Sequence, residues 1–99
     1  MPDENAGEVV ARRLVIHGRV QGVWYRASAQ SEATRLGLRG WVRNRLDGSV
    51  EALVIGTSAL IDRFVEWAYD GPPKAQVTRI DLTVAVAEPV EGFEQRPTM

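Results

Sequence analysis

The order in which strand-like and helix-like patterns follow one another constrains the fold of this chain more than any other feature. Residues 9–17 are rich in β-branched residues and predict a first strand. Residues 23–36 predict a helix, because their apolar residues recur every three or four positions. Strands over 38–45 and 49–55 come next, and the Asp-Gly pair between them favours a hairpin turn.

The second half of the chain continues with one more helix and one or two strands. Thr57 or Ser58 is suited to cap the helix, and a Gly-Pro-Pro sequence at 71–73 ends it. Residues 77–86 predict a fourth strand. A short last strand is expected within residues 93–96.

The resulting order β-α-β-β-α-β predicts an α+β fold of the ferredoxin-like, split-βαβ type. In this sandwich a mixed, mainly antiparallel sheet of four to five strands carries both helices on one face. The chain has 99 residues, and we assign residues 9–99 to a single domain and residues 1–8 to a flexible N-terminal tail. Because this fold hosts enzymes, RNA binders and regulatory modules, it leaves the function open.

Charge is distributed unevenly along a chain whose net charge is only −1. Residues 12–45 contain eight arginines and one acidic residue, whereas residues 46–99 contain four basic and nine acidic residues. A basic half on a nearly neutral protein predicts an anionic ligand, and a scattered, solvated set of arginines is the alternative.

Several classes of site and location are excluded or made unfavourable by composition. There is no cysteine and only one histidine, His17, so a disulfide, a thiol nucleophile and a Cys- or His-based metal site are excluded. The acidic N-terminus is unlike a signal peptide, and no apolar run is long enough to span a bilayer. We therefore expect a cytoplasmic protein that does not bind membranes, and we expect His17 to be a strand residue on the open sheet face.

A loop bounded by glycines links the first strand to the first helix. Gly18 and Gly22 bracket three residues, and the helix follows directly. Main-chain NH groups in such a loop and at a helix N-terminus can converge on a phosphate-sized anion. Arg26, in the first helical turn, would add a forked, charge-assisted contact. The spacing is neither that of the nucleotide phosphate loop nor that of the dinucleotide fingerprint, so a purely structural turn is the alternative.

A second group of residues, 40–44, lies just before the predicted hairpin. Asn44 falls near the end of the second strand, and its carboxamide could hold and orient a water molecule. The alternative is that Asn44 only favours the turn. Gly40 predicts a bulge or close packing against a helix.

Both stretches resemble signatures of the acylphosphatase family. The first is the run Gly18–Arg26, and the second is the run 40–44, followed by Gly48-Ser49-Val50 and Gly56. Their order and spacing agree with the family, and the resemblance spans roughly residues 10–96. It implies a ferredoxin-like fold and metal-free hydrolysis of carboxyl-phosphate anhydrides, with no cofactor.

The resemblance also implies roles for individual residues. Arg26 matches the phosphate-binding arginine and Asn44 the water-orienting asparagine, so these two are the expected catalytic residues. The phosphate loop matches the main-chain amides of Arg19, Val20, Gln21, Gly22 and Val23. The expected ligands are a small acyl phosphate and inorganic phosphate, as product or inhibitor, and we expect a monomer that binds no nucleic acid.

The chemistry of an acyl phosphate explains why so few groups would suffice. The leaving group is a carboxylate whose conjugate acid has a pKa of roughly 4, so it needs no general acid. Positioning a water in line and neutralising charge on the phosphoryl oxygens remain. The bound phosphate itself is a hypothetical acceptor for the water's proton. Acetyl phosphate, carbamoyl phosphate and 1,3-bisphosphoglycerate are all compatible with a site that binds mainly the phosphate.

Two other functions are compatible with the pattern. Trp41 alternates with Arg39, Arg43 and Arg45, and an aromatic residue among arginines on an exposed sheet face is typical of single-stranded RNA binding. Salt-sensitive RNA binding without acyl phosphate hydrolysis would favour that alternative. A small-ligand regulatory module is the third possibility, although such modules are often fused or oligomeric.

Overall fold

The computed structural model describes residues 7–99, which form one five-stranded sheet and two helices. The strands are β1 (Val9–Arg19), β2 (Arg39–Asn44), β3 (Val50–Thr57), β4 (Gln76–Val84) and β5 (Phe93–Gln95). The helices are α1 (Tyr25–Arg35) and α2 (Ser58–Asp70). Most of the predicted N-terminal tail, residues 1–8, lies outside the described residues.

The strand order in the sheet is β4-β1-β3-β2-β5. Strand β1 lies antiparallel to both β3 and β4, and β2 lies antiparallel to β3. The short strand β5 runs parallel to β2, so the sheet is mixed and mainly antiparallel. The predicted ferredoxin-like α+β architecture is confirmed, including the short last strand.

The main core lies between the sheet and the two helices. The apolar residues that recur every three or four positions through α1 and its C-cap are buried: Tyr25, Ala29, Ala33 and Leu36. On α2, the Phe64 ring is fully buried and contacts Trp67 and Phe93, with ring centroids 5.7 and 6.1 Å away. Because the apolar residues of both helices join one cluster, both helices cover the same face of the sheet.

The other face of the sheet carries a smaller apolar cluster that includes Trp41, Leu53 and Val90. Trp41 is packed, since only 6% of it is accessible to solvent, and the alternative that places it on an exposed sheet face is wrong. Its indole NH donates to the Glu88 carboxylate over 3.2 Å, and the guanidinium groups of Arg43 and Arg96 lie 4.6 and 5.0 Å from its ring. The segment after β4 therefore covers the face on which RNA stacking would depend.

Three local details of the structure differ from what the sequence predicts. Helix α1 begins at Tyr25, two residues later than predicted, because Trp24 adopts a left-handed conformation with φ 67°. Strand β1 continues through a register shift between His17 and Gly18. Gly40 packs closely, as predicted, but against the carbonyl of Leu53 in the neighbouring strand and not against a helix.

Candidate active site

The loop between β1 and α1 is attached to the core by two valines. Val20 and Val23 are 1% and 4% exposed, whereas Gly22 between them is exposed. Gly18, at the start of the loop, has a φ of 121°, and a Cβ atom there would overlap the carbonyl oxygen of Gln76 in β4. A side chain at position 18 would therefore displace the loop from β4.

The side chain of Gln21 ties this loop to the β2–β3 hairpin. Its Nε2 donates to the carbonyl oxygens of Arg45 and Ser49 over 2.8 and 2.9 Å. The hairpin is itself closed by Asp47, whose Oδ1 accepts from the Ser49 NH over 2.9 Å and from its hydroxyl over 2.6 Å. The hydrogen bonds to the Asp47 carboxylate from Ser49 hold the pKa of that carboxyl below its usual value. The loop and the hairpin are thus joined next to Asn44.

Asn44 is the last residue of β2 and lies opposite Val50 in the ladder with β3. Its main-chain oxygen accepts from the Met99 NH over 3.2 Å. Its side-chain oxygen, Oδ1, is buried and has no hydrogen-bond partner among the described residues. A buried acceptor without a donor is costly, and such groups are usually satisfied by a water or a ligand. This oxygen is therefore an acceptor that no donor among the described residues satisfies.

Arg26 is the second residue of α1 and is only partly exposed. Its guanidinium forms no hydrogen bond or ion pair within residues 7–99. Most other arginines of the basic stretch are engaged by carboxylates or carbonyls: Arg12, Arg13, Arg35, Arg39 and Arg43. Within the described part of the stretch, side-chain partners are lacking only for Arg19, Arg26 and Arg45, which all belong to or adjoin the loop. Three guanidinium groups without a protein partner among the described residues are therefore close to the loop.

The N-terminus of α1 adds to this positive potential. No side chain caps the helix, and its first turn contains no acidic residue. The first main-chain NH groups of a helix have no partner within the helix, and the macrodipole makes this end favourable for an anion. The position of the helix end is fixed by Tyr25, whose hydroxyl donates to the carbonyl of Ala68 in α2 over 2.5 Å. Burial raises the pKa of Tyr25, so it remains a neutral donor.

A cavity of about 410 Å³ opens beside the start of α1. It is lined by Gly22, Trp24, Tyr25, Arg26, Ala27 and Gln95. Sequence reasoning missed Trp24 and Gln95 as lining residues. Gln95 reaches the cavity because β5 pairs with β2, and its amide donates to Gln30 over 2.8 Å. No local signal marks Gln95, since its position depends on a pairing across more than fifty residues of sequence.

His17 lies in β1, and its Nε2 is 3.0 Å from the carboxylate of Asp81. Within residues 7–99 no cluster of three His, Cys, Asp or Glu side chains could hold a metal ion. No helix in the same part of the chain is long and apolar enough to cross a membrane.

The fold and the loop define a class: a ferredoxin-like α+β protein whose strand–loop–helix turn lies beside a partly buried asparagine. The acylphosphatase family model matches residues 12–95. An acylphosphatase from Azoarcus sp. (strain BH72) is 56% identical over 98 residues, which cover 99% of each chain. The chain belongs to the acylphosphatase family.

Solved structures agree with this assignment. The crystal structure of acylphosphatase from Bacillus subtilis is 39% identical, with a TM-score of 0.85 over 88% of this chain and 98% of that chain. An acylphosphatase from Coxiella burnetii is 34% identical, also with a TM-score of 0.85, over 89% of this chain and 93% of that chain. The resemblance of the two signatures to this family is thereby confirmed across nearly the whole chain.

Proposed function

We propose that this protein hydrolyses the carboxyl-phosphate anhydride bond of acyl phosphates, giving a carboxylate and inorganic phosphate. Membership of the acylphosphatase family supports the reaction class. The observation that carries the proposal is the buried, unpartnered Oδ1 of Asn44 beside a loop with unpaired arginines. An enzyme that orients a water against a bound anion needs a polar group to position the water and a positive site to bind the anion.

The phosphoryl group would be bound by the loop and by Arg26. The main-chain amides of Arg19 to Val23 and the first NH groups of α1 supply donors at fixed positions, and the guanidinium of Arg26 supplies a positive charge. Support comes from the fixed framework: Val20 and Val23 are buried, and Gln21 is bound to the hairpin. Donors held in advance stabilise the developing charge without reorganising during the reaction.

Asn44 would position the attacking water. When a water donates one hydrogen to Oδ1, its lone pairs are left to face the phosphorus atom. The bond between water oxygen and phosphorus forms as the bond from phosphorus to the acyl oxygen breaks, and the carboxylate leaves with the electron pair. The carboxylate is a weak base and leaves unprotonated, so no general acid is required. A phosphoryl oxygen takes the proton that the water loses.

We also propose that the protein acts as a monomer in the cytoplasm. The segment after β4 covers much of the sheet face opposite the helices, so that face offers no broad apolar surface to a second copy. RNA binding would require an exposed Trp41 ring on which a base could stack. That ring is buried under Arg43, Arg96 and Glu88. Sedimentation velocity of the purified protein at micromolar concentration tests the oligomeric state.

One assay tests the reaction class. Purified protein is incubated with acetyl phosphate and, in parallel, with the monoester p-nitrophenyl phosphate, and inorganic phosphate is measured. We expect release from the anhydride only, and an unchanged rate after treatment with EDTA. Cleavage of the monoester at a comparable rate would contradict the proposed class, and inhibition by the chelator would contradict a metal-free mechanism.

A further inference from the structure

Trp24 combines two properties that are rarely found together. It is the only residue other than glycine with a positive φ among the described residues, and 80% of it is accessible to solvent. A left-handed conformation is strained for a bulky side chain. Burial of the indole does not offset this strain, because the ring lies in solvent. The left-handed conformation of Trp24 therefore holds an apolar indole ring in solvent, where it does not contribute to the core.

The other two tryptophans are packed, so Trp24 is an exception in this chain. Trp41 lies beside two guanidinium groups, and Trp67 packs against Tyr25 with ring centroids 5.5 Å apart. Within residues 7–99 the Trp24 ring has no aromatic or cationic stacking partner. An exposed aromatic residue with no partner in its own chain is available to a ligand.

The cavity beside α1 has a lining of two kinds. Arg26 supplies one cationic group, while Trp24 and Ala27 supply apolar surface. An acyl phosphate has the same two parts, an anionic phosphoryl group and an organic acyl group. Water occupies about 30 Å³ per molecule in the liquid, so the cavity of about 410 Å³ is larger than a bare phosphate would fill.

We propose that Trp24 contacts the acyl group of the substrate and makes the enzyme favour acyl phosphates with an aromatic or bulky apolar acyl part. This inference rests on the proposed function, because it assigns the second half of the same substrate. The phosphoryl group binds the loop and Arg26, and the acyl group then lies against the indole ring. An aromatic acyl group that packs against the indole removes more apolar surface from water than the methyl group of acetyl phosphate does. It therefore contributes more binding energy.

The experiment compares two substrates in three proteins. The ratio of kcat/KM for benzoyl phosphate to kcat/KM for acetyl phosphate is measured for the wild type, Trp24→Gly and Trp24→Phe. Glycine suits the positive φ and removes the ring, and phenylalanine keeps an aromatic surface. We expect Trp24→Gly to lower the ratio about three- to tenfold, and Trp24→Phe to restore most of it.

A control and a binding measurement make the test independent of folding and of turnover. Tyr69, an aromatic residue of α2 that is 52% exposed, is replaced in Tyr69→Ala, which should leave the ratio unchanged. Calorimetry with benzylphosphonate and with inorganic phosphate should show weaker binding of only the first ligand in Trp24→Gly.

The two proposals fail in different ways. Turnover with an unchanged ratio, or an equal loss on both substrates, would overturn the role of Trp24 and leave the reaction class intact. Absence of turnover in the wild type, with benzylphosphonate binding that depends on Trp24, would contradict the proposed function alone. Loss of binding for both phosphonate and phosphate in Trp24→Gly would mean that the residue shapes the loop and does not select the acyl group.

Discussion

Gln21 holds the loop against the hairpin by donating from its side-chain Nε2 to the carbonyl oxygen of Ser49 over 2.9 Å. The same nitrogen donates to the carbonyl of Arg45, the residue next to Asn44. One side chain thus links the two segments that the proposed reaction uses. The link therefore holds the loop and the hairpin at a fixed separation.

Replacing Gln21 with leucine should weaken phosphate binding and lower stability. Gln21→Leu removes both hydrogen bonds and leaves two partly buried carbonyls without this donor, so we expect a loss of about 1–3 kcal/mol in unfolding free energy. Because the loop would no longer be held, the inhibition constant of inorganic phosphate should rise. Thr57→Val, which removes the cap of α2 at a typical cost of about 1 kcal/mol, is the matched control. Phosphate inhibition unchanged in Gln21→Leu would contradict the proposed link.

Arg26→Ala should lose both turnover and phosphate affinity. The variant removes the charge that offsets the phosphoryl oxygens, and loss of one such stabilising group typically lowers kcat on the order of 10²–10³. Steady-state kinetics with acetyl phosphate and calorimetry with inorganic phosphate measure the two effects. Arg63→Ala on α2 is the control, since Arg63 is exposed and carries the same charge change. Activity near the wild-type level in Arg26→Ala would rule out the assigned role.

Asn44→Ala should separate turnover from binding. The variant removes the acceptor for the water and leaves the loop and Arg26 in place, so kcat should fall while phosphate still binds. Oδ1 has no partner among the described residues, so its removal should change the unfolding free energy by no more than about 1 kcal/mol. Phosphate titration and urea denaturation check both parts. An equal loss of phosphate affinity would instead make Asn44 a ligand.

Glu51 should make stability depend on acid pH. Glu51 is 4% exposed, and its carboxylate pairs with Arg13 and Arg43. Burial raises the pKa of this carboxyl, but the hydrogen bonds from Arg43 and Arg13 outweigh it, so the pKa lies below the ordinary value of 4.5. A carboxyl with a lowered pKa in the folded state stabilises the fold above its unfolded pKa. This stability is lost as the pH falls through the folded-state value.

Glu51→Gln should therefore lower the unfolding free energy at pH 7 and flatten its decline below about pH 4.5. We expect a loss of about 1–3 kcal/mol, less than for a fully buried pair because both arginines are partly exposed. Urea denaturation between pH 3 and pH 7 measures it, with the exposed Glu66→Gln as control. Part of the slope should persist, because the pKa values of Glu32, Asp47 and Asp81 are also lowered. Identical slopes for the wild type and Glu51→Gln would contradict this prediction.

The fold could be predicted because local patterns and tertiary packing agree for most of the chain. The α1 stripe from Tyr25 to Leu36 is buried as its spacing predicts, and Val50, Ala52 and Val54 of β3 face the main core. The Asp-Gly turn between β2 and β3 is also where the pattern indicated. In α1 the period of apolar residues identifies the buried face, whereas β3 is buried on both faces because Leu53 and Ile55 join the smaller cluster.

The details that could not be predicted depend on partners far away in the sequence. Trp41 is buried by Glu88, Val90 and Arg96, whose position over the sheet no local pattern indicates. The late start of α1 results from the left-handed backbone of Trp24, a conformation that a tryptophan does not signal. At the candidate site, the family resemblance indicated Arg26 and Asn44. It assigned no role to Trp24, which lies within the first signature and lines the same cavity as Arg26.

The contact between Tyr25 and Ala68 has a consequence for how activity is lost. Tyr25 precedes Arg26, and its hydroxyl and ring attach the first turn of α1 to the end of α2. That turn is thus unable to fray without breaking tertiary contacts between the helices. The first turn of α1 and the core of the protein would then unfold together in one cooperative transition. During denaturation, loss of hydrolysis should coincide with exchange of the deepest amide protons, without an earlier inactive and still compact state.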